Sequence, residues 1–250
     1  MTRIILNGCC GRMGRTIARL VDDTENIKIV AGADLYGDAY SHFPVFKTLS
    51  DIKVDADVVV DFSNSDCLDT LLTFVLEKKM PVVIATTGYS DAAIAKIKAA
   101  SQIIPVFFTF NMSLGVNLII GLAQKAAAIL GDDFDIEIIE KHHNMKKDAP
   151  SGTAIMLANA INSVFNDEKY YEYDRHSKRG ERNKKEIGIH AVRGGTIVGE
   201  HEVIFAGHDE TISIKHSAAS REIFAVGAVR AAEFLKGQSP ALYDMNSLIK

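Results

Sequence analysis

The sequence is poor in cysteine, has no strong excess of charge of either sign and contains no long uninterrupted apolar run. Its cysteines are Cys9, Cys10 and Cys67; an odd number with an adjacent pair is a poor disulfide framework and matches no zinc or iron–sulfur spacing. We therefore expect reduced thiols in a cytoplasmic protein, and no metal site. The formal net charge of −4 predicts no general attraction to nucleic acid. Neither a signal peptide nor a membrane span is expected.

Short apolar runs alternate with amphipathic segments through the first half of the chain. Apolar residues recur at helical spacing in 12–21, 65–78 and 90–100. The strand candidates are 3–7, 27–33, 57–61, 81–85 and 104–108. This alternation predicts an α/β fold, in which an N-terminal Rossmann-type domain has a parallel sheet covered on both faces.

The pattern changes after Asn111. A long helix is predicted over 114–130, a strand over 134–140 and a helix over 151–165. Three strand-like runs separated by glycine turns predict an antiparallel meander over 187–193, 200–205 and 211–215. We therefore expect a second, α+β domain on a mixed or antiparallel sheet, followed by a last helix over 220–236. The basic stretch 174–186 is the best candidate for a mobile loop.

A glycine-rich turn joins the first predicted strand to the first predicted helix. Gly8, Gly11 and Gly14 form the pattern G-x-x-G-x-x-G, which lets the backbone approach a pyrophosphate at a helix N-terminus. Asp34 ends the second strand, where a carboxylate can accept hydrogen bonds from ribose hydroxyls. Leu35 offers no positive charge to a 2′-phosphate, so the pattern favours NADH over NADPH, although Arg12 and Arg15 could soften that preference.

Two later loops, 85–88 and 108–112, follow predicted strand ends. Ligands of parallel sheets bind beyond the carboxyl ends of the strands, so backbone groups here could contact the nicotinamide and its ribose. Ordinary strand-to-helix loops remain an equally good interpretation on sequence alone.

The densest group of chemically active side chains lies in 140–153. The cationic or readily protonated side chains of His142, His143 and Lys146 suit a substrate that carries carboxylates. Gly152 and Thr153 fall in the first turn of a predicted helix, where backbone N–H groups could hold a carboxylate.

A reductase also needs a proton donor, for which histidine and lysine are suitable. Ser151 is placed to cap the helix, and Glu140 and Asp148 are better suited to supporting or capping roles than to catalysis. A metal site is disfavoured because no carboxylate stands at helical spacing from the histidines, whereas a solvated basic loop stays open as an alternative.

The longest of these motifs closely resembles the signature of the 4-hydroxy-tetrahydrodipicolinate reductases, also called dihydrodipicolinate reductases. It reads His142-His143-x-x-Lys146-x-Asp148-Ala149-Pro150-Ser151-Gly152-Thr153. The resemblance covers nearly the whole chain through shorter motifs, which are Gly8-x-x-Gly11-Arg12-Met13-Gly14, Thr86-Thr87-Gly88, Asn111-x-Ser113-x-Gly115-Val116-Asn117, Arg193-x-Gly195-x-Ile197-Val198-Gly199-Glu200-His201 and Ser220-Arg221.

The resemblance implies an enzyme of lysine and diaminopimelate synthesis that reduces a cyclic imine dicarboxylate to tetrahydrodipicolinate with NADH or NADPH. It implies a cytoplasmic homotetramer with no nucleic-acid or membrane partner. The cofactor would bind a domain formed by 1–113 and joined by a C-terminal helix 222–250, and 114–221 would bind substrate and form the oligomer.

The resemblance also implies roles for individual residues. His142 and Lys146 would serve in proton donation, and His143, Lys146, Ser151, Gly152 and Thr153 would bind the substrate. The residues implied for the cofactor are Gly8, Cys9, Cys10, Gly11, Arg12, Met13, Asp34, Ala85, Thr86, Thr87, Thr109, Phe110, Asn111 and Met112.

Three positions depart from the family pattern. Leu35 stands where many members carry a base, Ala85 stands where glycine is usual, and Asn144-Met145 replaces a more basic pair. The choice between NADH and NADPH therefore stays open, as does the choice of His142 or Lys146 as the proton donor.

Two other classes of protein remain as alternatives. A different Rossmann oxidoreductase would need another set of polar residues, and an acylating semialdehyde enzyme would need a catalytic cysteine, for which none of the three is well placed. A dinucleotide-sensing regulator would need a segment for DNA or a protein partner, for which 175–185 is the candidate. Fold alone does not choose among them.

Overall fold

The computed structural model describes residues 1–37 and 42–249. The chain divides into two compact units. The first contains Met1–Leu114 and Glu222–Lys250, and the second contains Gly115–Arg221.

The first unit is built on a sheet of seven strands, all paired in parallel. The strands are β1 (Thr2–Asn7), β2 (Ile27–Ala33), β3 (Val45–Phe46), β4 (Val58–Asp61), β5 (Val82–Ile84), β6 (Pro105–Phe108) and β12 (Ala241–Tyr243). They lie in the order β12-β6-β5-β4-β1-β2-β3. Every residue of β4, β5 and β6 is buried, which explains their continuous apolar runs.

Helices cover both faces of this sheet. They are α1 (Arg12–Asp22), α2 (Leu68–Glu77), α3 (Asp91–Ala100) and α6 (Glu222–Leu235), and the short α7 (Asn246–Ile249) follows β12. Ile4 and Leu6 of β1 pack with α1 and α6, whereas Ile5 packs with α2 and α3, because successive strand side chains point to opposite faces. The predicted α/β class and Rossmann-type sheet are confirmed.

The second unit pairs a five-stranded mixed sheet with two helices. Its elements are α4 (Leu114–Leu130), β7 (Asp135–His142), α5 (Gly152–Val164), β8 (Tyr170–Glu172), β9 (Glu186–Arg193), β10 (Gly199–Ala206) and β11 (Thr211–Ala218). The strand order is β11-β10-β7-β9-β8. Alternate residues of β7 and β10, such as Ile136 and Phe205, are buried in a core with Leu157 of α5 and Ala123 of α4.

The predicted meander is wrong in one respect. β10 and β11 form the expected antiparallel hairpin, but β7 lies between β9 and β10 and runs parallel to β9. The glycine turn after β9 therefore leads the chain across β7 instead of into a hairpin.

Three other sequence-based boundaries need correction. The segment 222–250 is not one helix, because α6 ends at Leu235 and β12 then adds a strand to the edge of the first sheet. The helix predicted from 65 starts as a 3-10 turn, Ser65–Cys67, whose cap is Asn64. The strand predicted to end at 140 continues to His142.

One segment meets the length and composition criteria for a membrane span, contrary to the sequence-based expectation. Leu114–Asp133 has a mean hydropathy of 1.6, and 22% of that window is buried. A single such helix is weak evidence for a membrane, and Ile119, Ala123 and Ala127 of α4 pack into the core of the second unit.

Arg182 anchors the basic stretch for which the sequence predicts a mobile loop. Its guanidinium donates hydrogen bonds to Glu137 at 2.9 Å, to Asp135 at 2.8 Å and to the carbonyl of Ile136 at 2.8 Å. The loop is thereby tied to the first residues of β7.

Candidate active site

The glycine-rich turn between β1 and α1 leaves no room for side chains at two positions. Gly8 has a φ of +77°, and a Cβ there would lie 2.6 Å from the carbonyl oxygen of Phe62. A Cβ at Gly14 would overlap the carbonyl oxygen of Gly8. The first turn of α1, whose leading N–H groups have no partner within the helix, is therefore held against the loop, as an anion site at a helix N-terminus requires.

Asp34 follows β2 and lies against the same turn. Its carboxylate accepts hydrogen bonds from the backbone N–H of Cys10 at 3.0 Å and of Tyr36 at 3.1 Å. Leu35 beside it is 58% exposed. A cavity of about 570 Å³ opens here, and its lining includes Gly8, Cys10, Gly11, Arg15, Asp34 and Lys47.

A second cavity of the first unit, about 650 Å³, lies beyond the ends of β4, β5 and β6. It is lined by Gly11, Arg12, Met13, Phe62, Ser63, Asn64, Ser65, Ala85, Thr86, Thr87, Phe110, Asn111, Met112 and Phe224. The two cavities share Gly11, Phe62, Ser63 and Asn64, and together they are lined by twelve of the fourteen residues implied for the cofactor. The exceptions are Cys9, which is buried in the core, and Thr109, which is buried and hydrogen-bonds within its own loop.

Asp61, at the end of β4, is a site residue that the sequence analysis misses. Its carboxylate is fully buried and accepts hydrogen bonds from Asn7 at 2.7 Å, Ser63 at 2.6 Å and Thr86 at 2.7 Å. Burial raises the pKa of Asp61, and these three hydrogen bonds oppose that rise. The carboxyl thus connects the end of β1 at Asn7 with the loops that follow β4 and β5, and Ser63 and Thr86 of those loops line the second cavity. The sequence feature that could have identified Asp61 is a single aspartate at the end of a buried strand of three valines.

Glu140, on β7, is the centre of the polar cluster in the second unit. Its side chain is 0% exposed, and its Oε2 lies 2.6 Å from Nδ1 of His142. Arg193 of β9 donates to both carboxylate oxygens at 2.7 and 2.8 Å, and the backbone N–H of Ser151 donates to Oε1 at 3.0 Å. Burial alone would raise the pKa of Glu140, but the hydrogen bonds from Arg193 and His142 hold it below its usual value.

His142 is the last residue of β7, and its ring is fixed by its neighbours. Glu140 holds Nδ1, and a Cβ at Gly199 would lie 3.1 Å from Nε2. The ring meets that of His201 edge-on, with centroids 5.2 Å apart. Because a carboxylate at one ring nitrogen sets where the proton sits, Nε2 is the nitrogen left for other partners.

His201, on β10, carries no positive charge at neutral pH. Burial, reinforced by the neighbouring His142, lowers the pKa of His201 to about 4. Its Nε2 lies 2.9 Å from the hydroxyl of Ser151, which also accepts a hydrogen bond from the N–H of Ala154 at 3.1 Å. Ser151 therefore caps α5 as predicted and links that cap to β10.

The loop between β7 and α5 positions Lys146. The N–H of Asn144 bonds to the carbonyl of Gly195 at 3.2 Å, and the N–H of Lys146 bonds to the carbonyl of His143 at 3.1 Å. The Lys146 ammonium donates to both oxygens of Asp148 at 2.8 and 2.9 Å. Asp148 is 62% exposed, and the hydrogen bond from Lys146 lowers its pKa. The exposed carboxylate of Asp148 is thus bound to Lys146, the lysine that the sequence analysis expects to bind a carboxylate of the substrate.

The structure brings most of the predicted substrate residues to one end of the second unit. Gly152 opens α5, and no atom outside its immediate neighbours lies within 4 Å of the place a Cβ would take. The buried Nδ1 of His143 has no hydrogen-bond partner within the part of the chain that the structure describes. Thr153 follows Gly152 in the first turn.

Arg193 and His201 belong to sequence motifs, but the sequence alone assigns them no role. Both lie on strands of the second sheet, and Arg193 is 53 residues from the Glu140 that it contacts. Register explains their placement: Glu140 pairs with His201 of β10, and His142 pairs with Arg193 of β9. Neither pairing can be read from local sequence.

The residues of the first unit fit a dinucleotide. A turn without room for Cβ atoms, a helix N-terminus and a carboxylate at the end of the next strand are the features that hold pyrophosphate and ribose. The two cavities that Gly11 lines both lie in the first unit, so one unit offers the sites for pyrophosphate and for ribose.

Family models match almost the whole chain. The model described as "Dihydrodipicolinate reductase, N-terminus" matches residues 2–112, and "Dihydrodipicolinate reductase, C-terminus" matches residues 115–249.

Named relatives agree with these matches. The chain is 52% identical over 250 residues to the 4-hydroxy-tetrahydrodipicolinate reductase of Caldanaerobacter subterraneus subsp. tengcongensis, covering 100% of this chain and 99% of the relative. It is 48% identical to that of Clostridium novyi, over 100% and 99%. A solved structure, the dipicolinate-bound dihydrodipicolinate reductase from Paenisporosarcina sp. TG-14, superposes with a TM-score of 0.83 at 26% identity, covering 98% and 99% of the two chains.

Proposed function

The chain belongs to the dihydrodipicolinate reductase family, and from this membership we propose how its residues divide the work of the reaction. It is an NAD(P)H-dependent oxidoreductase that reduces 4-hydroxy-tetrahydrodipicolinate in the biosynthesis of lysine and diaminopimelate. The observation that carries the assignment of roles is the cluster that His142 and Arg193 form around the buried carboxylate of Glu140.

The residues proposed to hold the dinucleotide line the two cavities of the first unit. The turn from Gly8 to Met13 would bind the pyrophosphate, Asp34 the adenosine ribose, and the loops at 85–87 and 109–112 the nicotinamide end. When bound, NADH or NADPH supplies the hydride.

The proposed proton donor is His142. Glu140 keeps Nδ1 engaged, so the proton to be donated is carried at Nε2. Arg193 balances the buried charge of Glu140, which leaves the carboxylate in place while the histidine gains and loses its proton. His201 stays neutral beside the ring and adds no competing charge at neutral pH.

The substrate carboxylates are proposed to bind Lys146, His143, Ser151 and the first turn of α5. A carboxylate that approaches Lys146 would displace that of Asp148, which is mostly exposed and can turn to solvent. The N–H groups of Gly152 and Thr153 stand where a helix N-terminus attracts anions. Lys146 would thus bind a carboxylate and support proton delivery by His142.

We expect NADH to be preferred over NADPH. The carboxylate of Asp34 would repel a 2′-phosphate, and the adjacent Leu35 offers no compensating charge. Arg12, Arg15 and Lys47 border the cavities and would keep the preference from being absolute.

A cytoplasmic homotetramer without a catalytic metal completes the proposal. β7 and β10 bury one set of alternate residues against α4 and α5, whereas Ile139 and Ile204 of the other set lie outside that core. A sheet face on which apolar residues such as Ile139 and Ile204 are left outside the core is suited to pairing with the same face of another copy.

The test is a coupled assay. The preceding synthase condenses pyruvate with aspartate semialdehyde, and the oxidation of NADH and of NADPH is followed in parallel. Wild-type protein should oxidise NADH and NADPH only when the synthase is present, and it should oxidise NADH faster.

Variants test the proposed roles in the same assay. His142→Ala and Lys146→Ala should reduce kcat by about 100-fold or more. His208→Ala, which changes an exposed histidine, serves as the control. Full activity of His142→Ala would remove that residue from the mechanism.

A further inference from the structure

The glycine-rich turn between β1 and α1, here called the phosphate turn, contains the adjacent thiols of Cys9 and Cys10 and is met by the carboxylate of Asp34 from the end of β2. The proposed reaction does not use these three groups as a set. The Sγ atoms of Cys9 and Cys10 are 3.7 Å apart. These two atoms and a carboxylate oxygen of Asp34 all lie within 4.8 Å of one another. The sequence predicts no metal site because no cysteine spacing matches one, but the fold brings the third donor from the end of β2.

The sulfur atoms stand at the separation that a shared metal ion requires. With zinc–sulfur bonds of about 2.3 Å and a tetrahedral angle, two thiolates on one ion lie about 3.8 Å apart. The observed 3.7 Å matches that value without a large movement of either side chain. A carboxylate oxygen would be the third ligand, and the fourth position would open towards the cavity that Cys10 and Asp34 line.

Glycines make the space for both sulfur atoms. A Cβ at Gly32 would lie 2.6 Å from Sγ of Cys9, and a Cβ at Gly37 would overlap Sγ of Cys10. The hydrogen bond from the N–H of Cys10 to Oδ2 of Asp34 fixes the carboxylate against the same turn. The three donors are therefore held together by the backbone around them.

We propose that Cys9, Cys10 and Asp34 bind one thiophilic divalent cation, such as Zn²⁺ or Cd²⁺, and that this ion and the dinucleotide exclude each other. Two metal–sulfur bonds and one metal–oxygen bond form, and the two thiol protons pass to the buffer. The exclusion rests on the proposed function, in which the same Asp34 carboxylate binds the ribose. Bound metal would inhibit the reductase reversibly, and a chelator would restore it.

The first experiment tests the cation site by itself. Reduced, full-length protein is titrated with Cd²⁺ while the ultraviolet charge-transfer band of cadmium thiolate is followed. One ion per chain should bind, with release of protons. Cys10→Ser should abolish the band, Asp34→Asn should weaken binding at least tenfold, and Cys67→Ser, which removes the third cysteine, should bind as the wild type does. Equal binding by Cys10→Ser and Cys67→Ser, or no band in the wild type, would overturn the site.

The second experiment tests the exclusion. NADH binding is measured by its own fluorescence, first without metal and then at increasing Cd²⁺. The apparent Kd for NADH should rise linearly with free Cd²⁺ from its metal-free value in the wild type, and stay at its own metal-free value in Cys10→Ser. Simultaneous binding of both ligands at full affinity would overturn the exclusion. Failure of NADH to bind without metal would overturn it too, by removing the proposed cofactor site, while the cadmium band would still decide the cation site.

Discussion

Glu140 is the residue on which the geometry of the second unit depends most. Its buried carboxylate meets His142, Arg193 and the N–H of Ser151, so its charge is needed by groups on three elements. Removing that charge leaves the partly buried guanidinium of Arg193 without its partner and His142 without a fixed proton position.

Glu140→Gln tests this directly. We expect kcat to fall on the order of 100-fold, because the donor loses its orientation, and the free energy of unfolding to fall by about 3 kcal/mol, because a buried pair is broken. Steady-state kinetics and urea denaturation measure the two effects. Glu181→Gln, at an exposed glutamate of the same unit, should change neither. An unaltered kcat in Glu140→Gln would show that His142 needs no such support.

His201 predicts how stability depends on pH. Its pKa is about 4 in the folded protein against an ordinary 6.5, so the unfolded chain binds more protons between those values. Stability should therefore decrease as the pH falls from about 6.5 to 4, by up to about 3 kcal/mol from this residue. His201→Gln should flatten this part of the curve, measured by urea denaturation at each pH, whereas His208→Gln should not. A wild-type curve that is flat over this interval would contradict the assignment.

At the scale of elements, the fit between the phosphate turn and α1 is tightest at Gly14. Any side chain there meets the carbonyl oxygens of Gly8 and Cys9, so the helix must move away from the turn. Gly14→Ala should therefore raise the Kd for NADH at least about tenfold, or 1.4 kcal/mol. Binding is measured by the fluorescence of NADH, which is excited at wavelengths that the aromatic side chains of the protein do not absorb. Gly121→Ala, where a Cβ meets nothing, is the control.

The same elements show what sequence can and cannot predict. The bounds of α4 and β2 follow from local sequence, since long or largely apolar segments give a strong local signal. β3, β8 and β12 have two or three residues and no period to detect. The place of β7 between β9 and β10 depends on pairing across the sheet, which local patterns do not encode.

In the candidate site, too, local sequence predicts some residues, whereas others depend on pairing across the sheet. The histidine and glycine motifs are contiguous in the chain, so local sequence is enough to identify His142, Lys146 and Gly152 as candidates. Arg193 and His201 meet Glu140 only through strand register. The pairing of Lys146 with Asp148 also escapes prediction, because proximity along a loop does not specify a contact.

At the scale of the whole molecule, the face of the second sheet that carries Ile139 and Ile204 is the proposed interface of the oligomer. Ile204→Glu would place a charge where the proposed tetramer buries an apolar side chain, so sedimentation should show smaller species. Ile103→Glu, at an isoleucine of the first unit that is more than half exposed, should sediment as the wild type does. A tetramer that persists in Ile204→Glu would exclude this face as the interface.

The first unit is made of two pieces of chain, and this affects how the protein is made. A ribosome delivers residues 1–114 first, then the continuous second unit, and only afterwards α6 and β12. Until α6 emerges, Ile4, Leu6 and Val83 lack the alanines and Leu235 that cover them. One apolar face of the nascent first sheet therefore stays exposed while the ribosome synthesises about a hundred residues of the second unit. A cell that makes this protein should need chaperone protection during that interval, and the dinucleotide cavity should be completed last.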